Sequence, residues 1–183
     1  MTDLRNVVLA GDDGDLVRSI AERLKAEGCA VSTGADRMND AGCWGIVYVA
    51  AEAPEQPVDA LDIDDFLNRT DETMTGAASA VRAALAAGNL RRIVLVGNLA
   101  ARGRSSVTMP AALGGGLTAL ARSWALEFAA ENVTANTILA EEPQEVAESV
   151  AEATAFLLSP RSGMISGQVL QVSRDTDAGI LPI

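Results

Sequence analysis

Short, nearly continuous apolar runs alternate along the chain with longer segments whose apolar residues recur every three or four positions. Asn6 to Ala10 (NVVLA) is the first run. A short run with no polar alternation suits a strand covered on both faces. Gly11 to Asp15 reads as a turn, followed by a helix to about Glu27 that Gly28 closes. Ala30 to Thr33, Gly45 to Ala51, Arg92 to Gly97, Val133 to Leu139 and Gln168 to Ser173 read as further strands. Between them lie a proline-containing acidic linker, Ala53 to Asp62, and a long helix stopped by Gly88-Asn89. A second helix is expected over Leu117 to Ala130, and a third from Pro143, which suits a first helical position, to about Leu158. Strands alternating with helices predict an α/β fold, a Rossmann-like, doubly wound, mostly parallel sheet with helices on both faces. Residues 1–183 are expected to form one domain.

The helix over Leu117 to Ala130 carries one apolar stripe: Leu117, Leu120, Ala121, Trp124, Ala125 and Phe128. Most of it is expected to pack on the sheet. Trp124 and Phe128 are the candidates for a helix-to-helix interface, because large residues can fill a seam between helices. Ala77, Ala80, Ala84 and Ala87 on the long helix offer a small-residue face for the same purpose.

Composition narrows the classes of function. Apolar residues make up 49% of the 183 and aromatic residues only 3%, so the core is built mainly from Ala, Val, Leu and Ile. The formal net charge of -11 opposes binding to nucleic acid, where cations neutralise phosphates, and to anionic membrane surfaces. No apolar run approaches a membrane span. The opening MTDLRN lacks a basic segment followed by a long apolar run, so no signal peptide is expected. Two cysteines, Cys29 and Cys43, have no metal-ligand spacing, and histidine is absent, so no metal site is expected. Reduced thiols point to the cytoplasm.

Four pieces in order carry a family resemblance. They are the strand RRIVLVGN, the helix LTALARSWALEFAAENVTAN, the run FLLS, and ISGQVL near the end. Together they resemble the short-chain dehydrogenases/reductases, in particular those like 3-oxoacyl-ACP reductases. The resemblance implies NAD or NADP as cofactor and a catalytic Asn-Ser-Tyr-Lys set. Transferred residue by residue, the catalytic slots hold Thr73, Asn98, Pro110 and Gly114. Slipping the register of the last pair by one gives Met109/Leu113 or Ala111/Gly115, and the serine slot then becomes Gly97. The chain has one tyrosine, Tyr48, and one lysine, Lys25, so no register restores the proton relay.

The cofactor slots are altered too. The family's first glycine-rich turn falls on Ala10 to Val17. Gly11 keeps the first glycine, while Asp15 and Val17 replace the other two. The family's Asn-Asn-Ala-Gly falls on Val49 to Glu52, with Glu52 at the glycine. A carboxylate about 6 Å from a phosphate costs roughly 3 kcal/mol at an effective dielectric near 20. Asp12, Asp13 and Asp15 together reach roughly twice that, against at most about 2 kcal/mol from the helix dipole. The usual pyrophosphate pose is therefore disfavoured. The aspartates are expected to cap the first helix, a bound divalent cation being the alternative.

Against the family's plan, one strand–helix unit is missing between the second and third strands. The substrate lid after Leu139 is missing as well. The expectation is a catalytically inactive protein of this fold acting as an oligomeric or accessory subunit. It would form a homo-oligomer, or a hetero-oligomer with an active short-chain dehydrogenase. One alternative is an NAD- or NADP-dependent oxidoreductase with an unorthodox site. The other is a small-molecule binder or non-redox enzyme using the vacated crevice, with Asp12, Asp15, Glu52 and Asn98 as its residues.

Overall fold

Every strand carries apolar residues on both sides, so the sheet they form must be covered twice. The computed structural model describes residues 5–34, 42–141 and 145–174. The strands are β1 (Asn6–Gly11), β2 (Ala30–Thr33), β3 (Gly45–Val49), β4 (Arg92–Asn98), β5 (Thr134–Ala140) and β6 (Val169–Val172). They form one parallel six-stranded sheet in the order β2-β1-β3-β4-β5-β6. The helices are α1 (Asp15–Ala26), α2 (Ile63–Ala87), α3 (Thr108–Glu127) and α4 (Ala147–Leu157).

Alternation along each strand divides the core. Val7, Leu9, Val47, Val49, Val94 and Val96 face α1 and α4. Val8, Ala10, Ile46, Tyr48, Ile93 and Leu95 face α2 and α3. The resulting fold is the expected doubly wound α/β sheet, and the described strands are all parallel. β1 and β3 are neighbours although β2 lies between them in sequence, so the connections diverge there. Such a switch point is where sheets of this kind hold ligands.

Two expectations need correcting, and a third falls outside the described residues. First, α3 starts at Thr108, well before Leu117, and runs through Pro110 and Gly114 to Gly116. Pro110 is tolerated because it sits in the first turn, where its missing N–H has no partner to lose. The glycines stay helical because the helix lies against β4. A Cβ on Gly97 would sit 3.4 Å from the Gly114 Cα. Second, the alanine stripe of α2 does not face a partner. Ala77, Ala80 and Ala84 are buried against the sheet. Third, Pro143 lies outside the described residues, and α4 is described from Ala147.

Two arginines secure the amino-terminal end of the sheet. Arg5 and Arg92 both lie over the Trp44 ring, at 5.5 and 5.2 Å from its centre. Arg5 donates to the Leu158 carbonyl at 3.2 Å and Arg92 to that of Ser159 at 3.4 Å. Cations at the end of α4 complement its dipole. This cluster is at the opposite end of the strands from the candidate site.

Candidate functional site

At the carboxyl ends of the strands the turn after β1 is tight. Gly11 has φ +92, and a Cβ there would lie 2.0 Å from the Val49 carbonyl oxygen. The one retained glycine is thus required by backbone contact between β1 and β3, whatever binds beyond it. Asp12 then donates its N–H to Val49 O at 2.9 Å.

The three aspartates separate. Asp12 accepts from the Gly14 N–H at 3.2 Å, and Asp15 pairs with Arg18 at 2.7 Å. The N-cap of α1 is Gly14, with no side-chain cap bond. The capping expectation therefore fails: Asp12 closes the turn before the helix, and no aspartate side chain caps α1. Pairing Asp15 with Arg18 also removes part of the charge set against a phosphate. Val17 is buried in the core beneath α1. Among the described residues no cluster of three or more His, Cys, Asp or Glu could hold a metal ion.

Two hollows lie near the switch point. The smaller is a cavity of about 30 Å³ between the ends of β3 and β4 and the start of α3. Glu52, Asn98, Pro110 and Gly114 line it, with apolar Leu16, Val49, Val96 and Leu113. Three of the four catalytic slots thus converge here, and Thr73 does not. It is buried on α2 and lines neither hollow. A volume of about 30 Å³ has room for one or two waters, and so not for a nicotinamide ring.

The side chains at the expected slots Asn98, Pro110 and Gly114 are either engaged locally or carry no ionisable group. Asn98 Oδ1 accepts from the Ala100 N–H at 2.8 Å and caps the 3-10 turn Leu99–Arg102. Pro110 has neither donor nor acid. A Cβ on Gly114 would lie 2.6 Å from Asn98 O and 3.0 Å from Ala101 Cβ. A side chain at the expected lysine position would therefore run into backbone. The linker after β3 crosses the start of α3 and is tied down there. Thr108 N–H donates to Gln56 O at 3.4 Å, Arg104 pairs with Glu55, and Arg69 donates to Glu52 O at 3.1 Å.

The larger hollow is an open groove of about 990 Å³ on the other side of the switch point, between α1, the end of β2 and α2. Asp12 lines it and Asp15 does not, so the expected crevice set of Asp12, Asp15, Glu52 and Asn98 does not come together. Tyr48 was missed in this role. Its ring is buried, burial pushes its phenol above the ordinary value, and the nearby Glu72 charge adds to the rise. Its presence in an otherwise aliphatic strand, and a glycine in the middle of α2, are the signals in the sequence that point to it.

The interface candidates are also redistributed. Trp124 and Phe128 are half-buried and pack against the α2–α3 side of the core. On α2 and α3 the apolar side chains that project furthest are Leu126 (82% exposed), Ile63 and Leu67.

These features define a protein of the Rossmann-like class in which the hollow between the ends of β3 and β4 is small and the groove beside β1 and β2 is open. Among solved structures the chain is similar to an oxidoreductase of the short-chain dehydrogenase/reductase family from Burkholderia thailandensis. That match has a TM-score of 0.78 and 20% identity, covering 92% of this chain and 91% of that one. It is also similar to a double mutant of a Serratia marcescens short-chain dehydrogenase/reductase. There the TM-score is 0.77 and the identity 18%, covering 93% and 96% of the two chains. No protein-family model matches the chain, and no curated sequence does. The chain thus has the fold of the short-chain dehydrogenases/reductases. No helix among the described residues is long and apolar enough to cross a membrane.

Proposed function

We propose that this chain is a non-catalytic protein of the short-chain dehydrogenase fold. Residues 1–183 act as one domain in a homo-oligomer, or as an accessory subunit of an active short-chain dehydrogenase. The observation that carries this reading is the Gly114 contact: a side chain in the lysine slot would meet the Asn98 carbonyl at 2.6 Å. A site kept for hydride transfer needs room there for an ionisable group and for the nicotinamide ring. Exposed Ile63, Leu67 and Leu126 on α2 and α3 support an assembly through these helices. The two free, buried thiols suit the cytoplasm.

The test is co-expression with candidate reductases followed by mass measurement of the intact assembly. A defined homo-oligomer or a stoichiometric complex is expected. A monomer at high concentration that captures no reductase would sink the subunit reading. An NAD- or NADP-dependent oxidoreductase with an unorthodox site is the second reading. It draws on the uncapped first turn of α1, whose N–H groups remain open to an anion. Turnover of a carbonyl panel with NADH or NADPH would favour it.

A further inference from the structure

Residues 51–62 cross the start of α3 without an anchor in either core. None of them is buried, and their regular structure is the 3-10 turn Val58–Ala60. Both ends are fixed. The Ala50 N–H donates to Val96 O at 2.9 Å, and Asp62 caps α2 by accepting from the Asp65 N–H at 3.0 Å. What holds the stretch between them is polar and weak. Arg69 donates to Glu52 O at 3.1 Å in an exposed position. Arg104 pairs with Glu55, both side chains half-exposed, and such pairs contribute little. The Thr108 N–H reaches Gln56 O at 3.4 Å, which is long for an amide bond. One group is worse off for being covered. Gln56 Oε1 is buried with no hydrogen-bond partner, so it forgoes water and gains nothing in exchange.

A segment with few buried apolar contacts and exposed hydrogen bonds opens at lower free energy than the core around it. Glu52 and Ala53 of this segment line the hollow between β3 and β4, together with Pro110 and Leu113 of α3. We propose that residues 51–62 are a strap that swings off α3 while the sheet stays folded, opening that hollow and letting water reach Gln56. Pro54 and Pro57 stiffen the strap, so it moves as a piece between its two fixed ends. The inference goes beyond the subunit reading. The contact between Gly114 and the Asn98 carbonyl lies outside the strap, so either idea can fail without the other.

Leu113→Cys places a thiol in the wall of the hollow, and iodoacetamide is the probe. The native thiols Cys29 and Cys43 are buried and report on global unfolding in the same sample. The introduced thiol should react at least about tenfold faster than Cys43. Gln56→Met, added to this variant, keeps the length of the side chain and removes the unmet oxygen, so it should slow the reaction about tenfold. Arg104→Gln releases Glu55 and should speed it about two- to fivefold. Arg18→Gln breaks a pair on α1 and should leave the rate unchanged. If circular dichroism finds Leu113→Cys unfolded, Pro110→Cys takes its place in the same wall. An introduced thiol that reacts only as fast as Cys43 would overturn the proposal, because the hollow would then open only when the whole chain unfolds. A rate that Gln56→Met does not slow, or that Arg104→Gln does not raise, would overturn it too, by showing that access comes from another side.

Discussion

Replacing Gly114 by alanine measures directly whether the lysine slot is closed. Alanine gains about 1 kcal/mol over glycine within a helix from backbone entropy alone. At position 114 that gain meets contacts at 2.6 Å to the Asn98 carbonyl and 3.0 Å to Ala101 Cβ. The first is to backbone, which cannot rotate away. Overpacking of this kind costs about 1–3 kcal/mol, so Gly114→Ala should be destabilising by up to about 2 kcal/mol in total. The neighbouring glycines provide controls on the same helix. A Cβ at Gly115 meets nothing within 4 Å, so Gly115→Ala should keep most of the helix gain. A Cβ at Gly116 meets Met74 Sδ at 2.8 Å and Cε at 3.0 Å. That side chain is flexible and can move, so Gly116→Ala should be close to neutral.

Urea denaturation of the three variants and the wild type, with unchanged slopes, gives the comparison. Gly114→Ala and Gly115→Ala share the propensity gain and should differ by the overpacking cost, about 1–3 kcal/mol. That corresponds to roughly 2–4 °C of melting temperature per kcal/mol for a chain of this size. If Gly114→Ala proves as stable as Gly115→Ala, the slot is open and the main support for a non-catalytic protein is lost. The double change Pro110→Tyr with Gly114→Lys carries the same contact at its Cβ. It should therefore lower stability without creating a reductase, because no bound hydride donor would be there to react.

Alkaline pH should weaken the fold. Burial pushes the Cys43 thiol up to about 11 from an ordinary value of 9.0, and the Tyr48 phenol also rises. The native state then holds protons that the unfolded chain has released, so this stability is present below about pH 9 and lost as pH climbs through 11. The Cys43 share is at most about 3 kcal/mol, and Cys43→Ala should flatten the decline in denaturation midpoint. An ultraviolet titration should find the single tyrosine ionising above its ordinary value; ionisation at or below it would contradict the buried placement. Calorimetric titration with NAD, NADH, NADP and NADPH should show no micromolar binding, and such binding of any one would contradict the closed crevice. Leu67→Glu and Leu126→Glu should dissociate an assembly while leaving a folded monomer. Trp124→Ala should mainly cost stability, by about 3 kcal/mol or less for a half-buried ring. If only Trp124→Ala dissociates the assembly, the projecting leucines are not its anchors.

The strands and the covering of the sheet on both faces were legible because burial on both sides writes itself as unbroken apolar runs. Val7, Val8 and Leu9 need no partner residue to be recognised, and the predicted strand limits fall within about two residues of those observed. What stayed hidden are relations between residues distant in sequence. Local propensity reads Pro110 and three consecutive glycines as a loop. They are helical because Gly97 and Gly114 touch, and neither position alone announces that contact. Periodicity likewise groups Ala77, Ala80 and Ala84 on one face of α2 without saying whether that face meets the sheet or solvent. The carboxylates show the same limit. Asp12, Asp13 and Asp15 look like one charge cluster in sequence, yet Asp15 is drawn off by Arg18 and Asp12 by the Gly14 amide. The electrostatic case against a bound phosphate weakens once those partners are known. The steric case against a nicotinamide ring, which no composition or motif could supply, takes its place. It rests on the size of the cavity between β3 and β4, while the Asn98 carbonyl separately stands against a side chain at position 114.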